Sequence, residues 1–321
     1  MTRFRLGTNL IFAGNRFVEP EEWSRITREE LDLDYVQFST DVLDPTWPKR
    51  YVDEYIERTQ RCLQKYHLQV DSMFTGNFSR RHLLLHPDAG GRRMWFDWYK
   101  ALIDIGTKIG AFSAGSHFGT MSVRDISDPV RYDRRLAEGI HLWQELSAYA
   151  REAGFRHLFF ETMSVPRELA HTVEEAKDLY ARLNAKSALP ILLCLDVGHA
   201  PHPSQRDATL WLRQLGSLAC IVHLQQSDAN NSRHWPFTHE YNRLGVVDPA
   251  STLEAIQASG VDEIYLHFEI THRESYEQES RVLRDLKDSV AYWRGFLKAH
   301  DEARLDEANR PKVGTSPEVV S

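Results

Sequence analysis

Four short apolar runs in the second half of this chain each close on a side chain that can bind a metal or move a proton. They are His157-Leu158-Phe159-Phe160-Glu161, Ile191-Leu192-Leu193-Cys194-Leu195-Asp196, Cys220-Ile221-Val222-His223 and Glu263-Ile264-Tyr265-Leu266-His267-Phe268-Glu269. Each run has the length and β-branched or aromatic content of a buried strand, and helix-like sequence separates the runs. Strands alternating with helices imply a parallel sheet, in which chemistry gathers at the C-terminal strand ends. Glu161, Asp196, His223 and Glu269 should therefore converge. Three carboxylates and one imidazole suit a divalent cation that prefers oxygen and tolerates nitrogen. Any one of these residues alone would more often be an ion-pair partner; four at the same end of successive strands point to a site.

The elements that must position them can be read along the whole chain. Eight strands are predicted, at 4–12, 35–42, 69–74, 111–118, 157–163, 191–197, 221–225 and 263–270. Between them lie helical patterns. One opens at Pro20-Glu21-Glu22-Trp23, with proline early and acids in the first turn. Tyr51, Val52, Tyr55, Ile56 and Leu63 recur at helical spacing, and Thr172-Val173-Glu174-Glu175 has the form of a capping box. Further helices are expected at 92–109, 133–153, 205–215, 249–259 and 278–300. Strict alternation favours an α/β (β/α)8 barrel over an open sheet. The expected organisation is a single catalytic barrel domain at 1–300 and a polar, flexible C-terminal tail at 301–321.

Composition narrows the function. The chain has 321 residues, 42% of them hydrophobic, enough for a large core. Its 39 Lys and Arg stand against 46 Asp and Glu, and a net charge of -7 disfavours nucleic acid as a partner. No apolar stretch approaches the roughly 20 residues that span a bilayer. The N-terminal residues read as leading straight into a strand, without a signal-peptide core. Cys62, Cys194 and Cys220 are scattered, two of them inside strand runs, which fits core thiols in a cytoplasmic protein. Dinucleotide, P-loop, Cys-x-x-Cys and nucleophile-elbow patterns are missing.

Further candidates surround the four. In Asp196-Val197-Gly198-His199, Gly198 allows a close turn and His199 can face the same pocket; the alternative is a histidine capping the next helix. His117 lies in Gly115-Ser116-His117-Phe118-Gly119, where the glycines suggest close approach to a ligand. His267 alternates with Glu269 and so faces inward; a barrel-interior role is preferred to one beside the site. Thr8-Asn9 and Ser39-Thr40-Asp41 are expected to bond neighbouring loops. Arg167, Glu168 and Arg273 follow strand ends, where an arginine could hold a phosphate or form a rim ion pair. Two loops are long, 77–91 and 227–248. The second carries Asn230, Arg233, His234, Trp235, His239, Tyr241 and Arg243, and reads as a lid or substrate wall.

The order Glu161, Leu195-Asp196-x-x-His199, Val222-His223-Leu224 and Phe268-Glu269 resembles the sugar isomerase/epimerase superfamily of xylose-isomerase-like TIM barrels, over about residues 4–300. Within it the spacing is similar to ketose 3-epimerases. Glu161-Thr-Met-Ser-Val-Pro-Arg-Glu168 and Trp235-Pro-Phe-Thr-His-Glu-Tyr-Asn242 resemble the tetrulose-phosphate epimerases/racemases of erythritol breakdown. The resemblance implies that Glu161, Asp196, His223 and Glu269 ligate one Mn2+, Mg2+ or Co2+ ion, and that Glu161 and Glu269 also exchange the proton beside a ketose carbonyl. It implies a substrate contact for His199. His117, Arg167, Glu168, Asn230, Arg233 and Arg273 join it as substrate-binding candidates. The sequence departs from ordinary ketose 3-epimerases at 227–248, which replaces a short glycine-rich loop. The nearest counterpart of their substrate glutamate is Glu168.

The expected function is thus a metal-dependent epimerase or racemase of a short ketose or ketose phosphate, working through an enediolate. Its partners would be a sugar or sugar phosphate and, as in many family members, further copies of the chain in a homo-oligomer. Trp95, Trp98 and Trp143 could supply such an interface, although barrel packing accounts for them more simply. The alternatives are an aldose–ketose isomerase of the hydroxypyruvate-isomerase kind, a metal-dependent phosphodiesterase like the AP endonucleases, and a sugar-binding barrel without catalysis.

Overall fold

The computed structural model describes residues 2–76, 79–199, 205–273 and 278–309, with side chains of the last helix to residue 302. Its strands are β1 (Arg3–Asn9), β2 (Tyr35–Ser39), β3 (Gln69–Phe74), β4 (Ser113–His117), β5 (His157–Glu161), β6 (Ile191–Asp196), β7 (Ala219–Leu224) and β8 (Glu263–Phe268). They pair in parallel in sequence order, and β8 closes on β1. The chain is a (β/α)8 barrel, as its alternation of elements required. β6 and β7 are almost wholly buried runs of apolar residues, the pattern of parallel strands covered on both faces.

The helices are α1 (Pro20–Arg25), α2 (Lys49–Tyr66), α3 (Ala89–Ile109), α4 (Val123–Ile126), α5 (Pro129–Glu152), α6 (Val173–Asn184), α7 (Ala208–Leu215), α8 (His239–Leu244), α9 (Pro249–Ala258) and α10 (Glu279–Asn309). Local chemistry sets their starts. Asp88, Asp128, Thr172, Asp207 and Asp248 each accept a backbone N–H of the first turn, and Pro20, Pro129 and Pro249 occupy the first helical position. The Thr172 side chain accepts from Glu175 N, as the capping-box reading predicted. α10 crosses the 300/301 boundary placed from the sequence and ends at Asn309; residues 310–321 lie outside the described residues.

One apolar layer fills the space between barrel and helices. Trp98 and Trp143 are buried in it and Trp95 packs against it, so barrel packing accounts for these rings. All three cysteines are free and buried, as core thiols would be. Among the described residues no helix is long and apolar enough to cross a membrane.

Candidate metal centre and its cleft

Register builds the site. His223 on β7 is the direct partner of Asp196 on β6. Glu161 ends β5, and Glu269 extends β8 by one residue, donating its N–H to Leu224 O. The potential ligand atoms of Glu161, Asp196, His223 and Glu269 all lie within 4.8 Å of one another. The four residues predicted to converge therefore do so, at the C-terminal mouth of the barrel. Phe74 stands edge-on to the His223 ring at 5.0 Å and gives the site an apolar flank.

The orientation of His223 is fixed from the far side of the barrel. Ile11 N–H donates to Asn9 Oδ1 at 2.8 Å, which turns the Asn9 amide nitrogen toward Gln37. Asn9 Nδ2 then donates to Gln37 Oε1 at 2.6 Å, and His223 Nε2 lies 2.8 Å from that same oxygen. An oxygen there requires Nε2 to carry its hydrogen. In the neutral ring, Nδ1 is therefore the lone-pair nitrogen, and it faces Glu161 at 3.0 Å and Glu269 at 3.4 Å. Burial opposes a charge on this ring, but Cys194, Glu269 and Glu161 outweigh it and raise its pKa well above the ordinary value. Burial likewise works against the Glu269 carboxylate, yet His223, His234 and His199 hold its pKa well below the usual range.

Asp196 is held from β7 and its own turn. Gln225 Nε2 donates to both Asp196 oxygens, at 3.0 and 2.8 Å, and Gly198 N–H donates to Oδ1 at 2.6 Å. A Cβ on Gly198 would stand 2.3 Å from the Gln225 amide carbon, so this close approach needs glycine. Burial raises the Asp196 pKa.

Glu161, Glu269, His199, His117, His234, Arg80, Met163 and Phe74 line the cleft above the centre, with Thr75 and Gly76. His199 Nδ1 lies 3.2 Å from Thr162 O and 3.5 Å from Glu161 Oε1, while Nε2 is 3.8 Å from Asp196 Oδ2. It faces the pocket and does not cap α7, whose cap is Asp207. Burial opposes the charged form of His199, but Asp196, Glu161 and Glu269 raise its pKa. His117 also lines the cleft, with Nε2 3.0 Å from Arg81 O and 3.2 Å from Thr120 Oγ1. The glycine beside it serves packing rather than a ligand: a Cβ on Gly115 would meet Phe159 O at 2.3 Å.

Other sequence candidates fall elsewhere. Glu168 is buried behind the cleft wall, where Arg80 holds both its oxygens. Arg167 donates through one guanidinium nitrogen to Met121 O at 3.0 Å and does not line the cleft. Asn230 is exposed on its loop. Arg233 is exposed too, paired with Asp228 and lying over the Trp235 ring. Arg273 is exposed, and its carbonyl accepts from Arg16. His267 pairs with Asp71 at 3.0 Å inside the barrel, the interior role preferred for it.

Sequence reasoning missed Arg80, Gln37 and Gln225, and named His234 only as part of a loop. Gln225 was legible: it lies two residues after His223 and so shares its strand face. His234 reaches the cleft because its loop is tied down. Gln226 and Trp235 form a β-bridge, and Gln225 Oε1 accepts from His234 N at 2.6 Å. The His234 backbone is left-handed, with φ of 52°, and its ring Nδ1 lies 3.1 Å from Glu269 O and 3.6 Å from Glu269 Oε2. Such a conformation costs about 1 kcal/mol or more and is held here by the bonds that tie the loop to Gln225 and Gln226.

No family model matches the chain. D-Erythrulose 1-phosphate 3-epimerase from Brucella abortus (strain 2308) is 29% identical over 284 residues, spanning 87% of this chain and 92% of the relative. A crystal structure from Rhodospirillum rubrum ATCC 11170, provisionally named a xylose isomerase, superposes with a TM-score of 0.84 at 27% identity, covering 91% of this chain and 99% of that one. D-Psicose 3-epimerase from Clostridium cellulolyticum H10, solved with D-tagatose, has a TM-score of 0.72 at 14% identity, with coverage of 91% and 99%. The resemblance read from Glu161, Asp196-x-x-His199, His223 and Glu269 is borne out: the chain has the fold of the xylose-isomerase-like ketose epimerase barrels, and its sequence is similar to a tetrulose-phosphate 3-epimerase.

Proposed function

We propose that this protein is a divalent-metal-dependent epimerase of a short ketose or ketose phosphate, of the tetrulose-phosphate type. The observation that carries the reading is the convergence of Glu161, Asp196, His223 and Glu269 at the barrel mouth, their ligand atoms within 4.8 Å of one another, in a chain similar to an epimerase of D-erythrulose 1-phosphate.

The residues fit a divalent ion. Three carboxylates buried to 4–5% exposure would repel one another strongly in a medium of low dielectric unless a cation stood among them. The set offers oxygen from Glu161, Asp196 and Glu269 and nitrogen from His223 Nδ1, a mixture that suits Mn2+, Mg2+ or Co2+. When bound, the ion supplies positive charge that stabilises the negative charge developing on the substrate's oxygens.

The chain's own groups do the rest. Glu161 and Glu269 enter from β5 and β8, with two strands between them, so the carboxylates flank the substrate position from different sides. One removes the proton from the carbon next to the carbonyl, and the other returns a proton to the opposite face, inverting that centre. Glu269 is kept ionised by the histidines around it, which leaves its carboxylate oxygens unprotonated and available to a cation. His199 and His234 stand beside these carboxylates and can bond to substrate oxygens. Phe74 and Met163 add apolar surface to the cleft lining.

Proton exchange tests this directly. Protein stripped of metal and reloaded with Mg2+ is incubated in D2O with short ketoses and their phosphates and followed by NMR. Metal-dependent deuterium uptake next to the carbonyl, with an epimer appearing, is expected. Uptake at a terminal carbon with an aldose product would replace epimerase by aldose–ketose isomerase. Tight metal binding without exchange in any ketose would overturn the reading.

A further inference from the structure

The arginines placed near the site by sequence do not line the cleft, and one that the sequence reading passed over does. Among the described residues, Arg80 is the one guanidinium in the cleft wall. Its side chain keeps 39% exposure, whereas its partner Glu168 is buried to 8%. Glu161 and Glu269 line the same cleft with side chains only 5% exposed, so Arg80 is the more solvent-facing group.

Among the described residues, the way Arg80 is held leaves it a specific unused edge. Its Nε–H donates to Glu168 Oε1 at 2.8 Å, and one terminal nitrogen donates to Glu168 Oε2. A guanidinium has five N–H groups in a plane. Glu168 takes the side-on pair, and of the three N–H groups left, two lie side by side on the end-on edge. That edge is itself a fork, matched to two oxygens of a phosphate. Both Glu168 oxygens are engaged, so Glu168 is poorly placed as a base and well placed to aim its partner.

The described residues around the fork are tied down both before and after Arg80. Before Arg80, Ser79 Oγ lies 2.8 Å from Thr40 Oγ1 and donates to Gly76 O at 3.2 Å. After it, Leu83, Leu84 and Leu85 are fully buried. The loop after β4 bonds to both neighbours: Thr120 N–H donates to His82 O at 3.2 Å, and Met121 N–H donates to Arg167 O at 2.8 Å. Arg167 returns a bond to Met121 O at 3.0 Å. The loops after β3, β4 and β5 thus form one unit that carries Arg80 at one end and Glu168 at the other. Such pre-ordering spends little side-chain entropy on binding.

We propose that Arg80 is the specificity-determining residue that receives a phosphate monoester on the substrate, and that Glu168 is its positioning residue. This rests on the epimerase reading for the identity of the substrate, though not for the existence of the anion subsite. The metal end of the cleft takes the carbonyl, and the Arg80 fork takes the phosphate at the far end of a short chain.

The test compares one ketose with and without its phosphate in the metal-loaded enzyme. Arg80→Met should raise KM for the phosphorylated member by about 100-fold with little change in kcat. The loss in kcat/KM should exceed that on the unphosphorylated member by at least about tenfold. Arg80→Lys, which keeps a charge and loses the fork, should recover only part of the affinity. Glu168→Gln should show the same KM-weighted pattern at smaller amplitude. Equal losses on both substrates, or a fall confined to kcat, would overturn the assignment. Calorimetric binding of phosphoglycolate and glycolate to wild type and Arg80→Met separates this proposal from the functional one. Phosphoglycolate binding that depends on Arg80, in a protein that turns over no ketose, would keep the subsite and sink the epimerase. Turnover with phosphoglycolate binding unchanged by Arg80→Met would do the reverse.

Discussion

Two histidines in this barrel are near twins in everything but position. His223 and His267 are register partners on β7 and β8, both rings are fully buried, and each lies 3.0 Å from a carboxylate oxygen. Around His223, three acids from three other strand ends converge beneath an open cleft. Around His267 there is one acid, Asp71, and the pair lies inside the barrel, two residues before Glu269 on the same face of β8. A buried histidine beside an acid is thus no signature of a site. The number of acids that meet at one point, and whether a cleft reaches them, separates a reactive centre from an interior polar pair.

The largest expected effect lies at the mouth. Glu161→Gln or Glu269→Gln should lower kcat by at least about 10³-fold, since each removes both a proton carrier and a metal ligand, while circular dichroism and melting behaviour stay close to wild type. Near-normal turnover in either variant would erase the distinction between the two histidine clusters. Gln37→Leu comes next. Without the oxygen that keeps hydrogen on Nε2, the His223 tautomer is no longer imposed, and metal affinity measured by competition with a chelator should fall about 10–100-fold. Unchanged affinity would mean that the β2 contact has no part in setting the ligand.

How far these contrasts were legible beforehand depended on the reach of the signal. Strand ends are local: an apolar run that stops at Glu161, Asp196 or His223 announces both the strand and its polar terminus, and parallel alternation then dictates convergence. The starts of strands were less well marked, as at β4, expected from residue 111 and found from Ser113, because apolar residues continue into the preceding turn. Long-range contacts were not legible at all. Arg80 lines the cleft among loops after β3, β4 and β5 that are bonded to one another, and nothing near position 80 states this. Arg233 and Arg273 show the converse error: closeness in sequence to His223 or Glu269 does not aim a side chain at them.

A smaller effect is expected inside the barrel. Asp71→Asn should cost about 1–3 kcal/mol of stability, read from chemical denaturation, because the His267 ring loses its carboxylate partner. Its kcat should stay within a few-fold of wild type. A collapse in turnover with stability intact would show that the interior pair communicates with the mouth. The smallest effects belong to the outer part of the 227–248 loop, where Asn230→Ala and Arg233→Ala should each change kcat/KM by less than about threefold, as for exposed surface positions. A tenfold loss in either would bring that edge of the loop back into the substrate site.

The amide of Gln225 has a consequence for anyone who would redesign this protein. Its nitrogen holds Asp196, while its oxygen accepts from Ser227 and Ser232 side chains and from the His234 backbone. The loop and the metal ligand are therefore not separable modules. Grafting a shorter loop from another barrel to change substrate range would remove three donors from Gln225 at once and free the amide to turn. A transplant that carries the wall without its own counterpart of this glutamine would alter metal retention before it altered specificity.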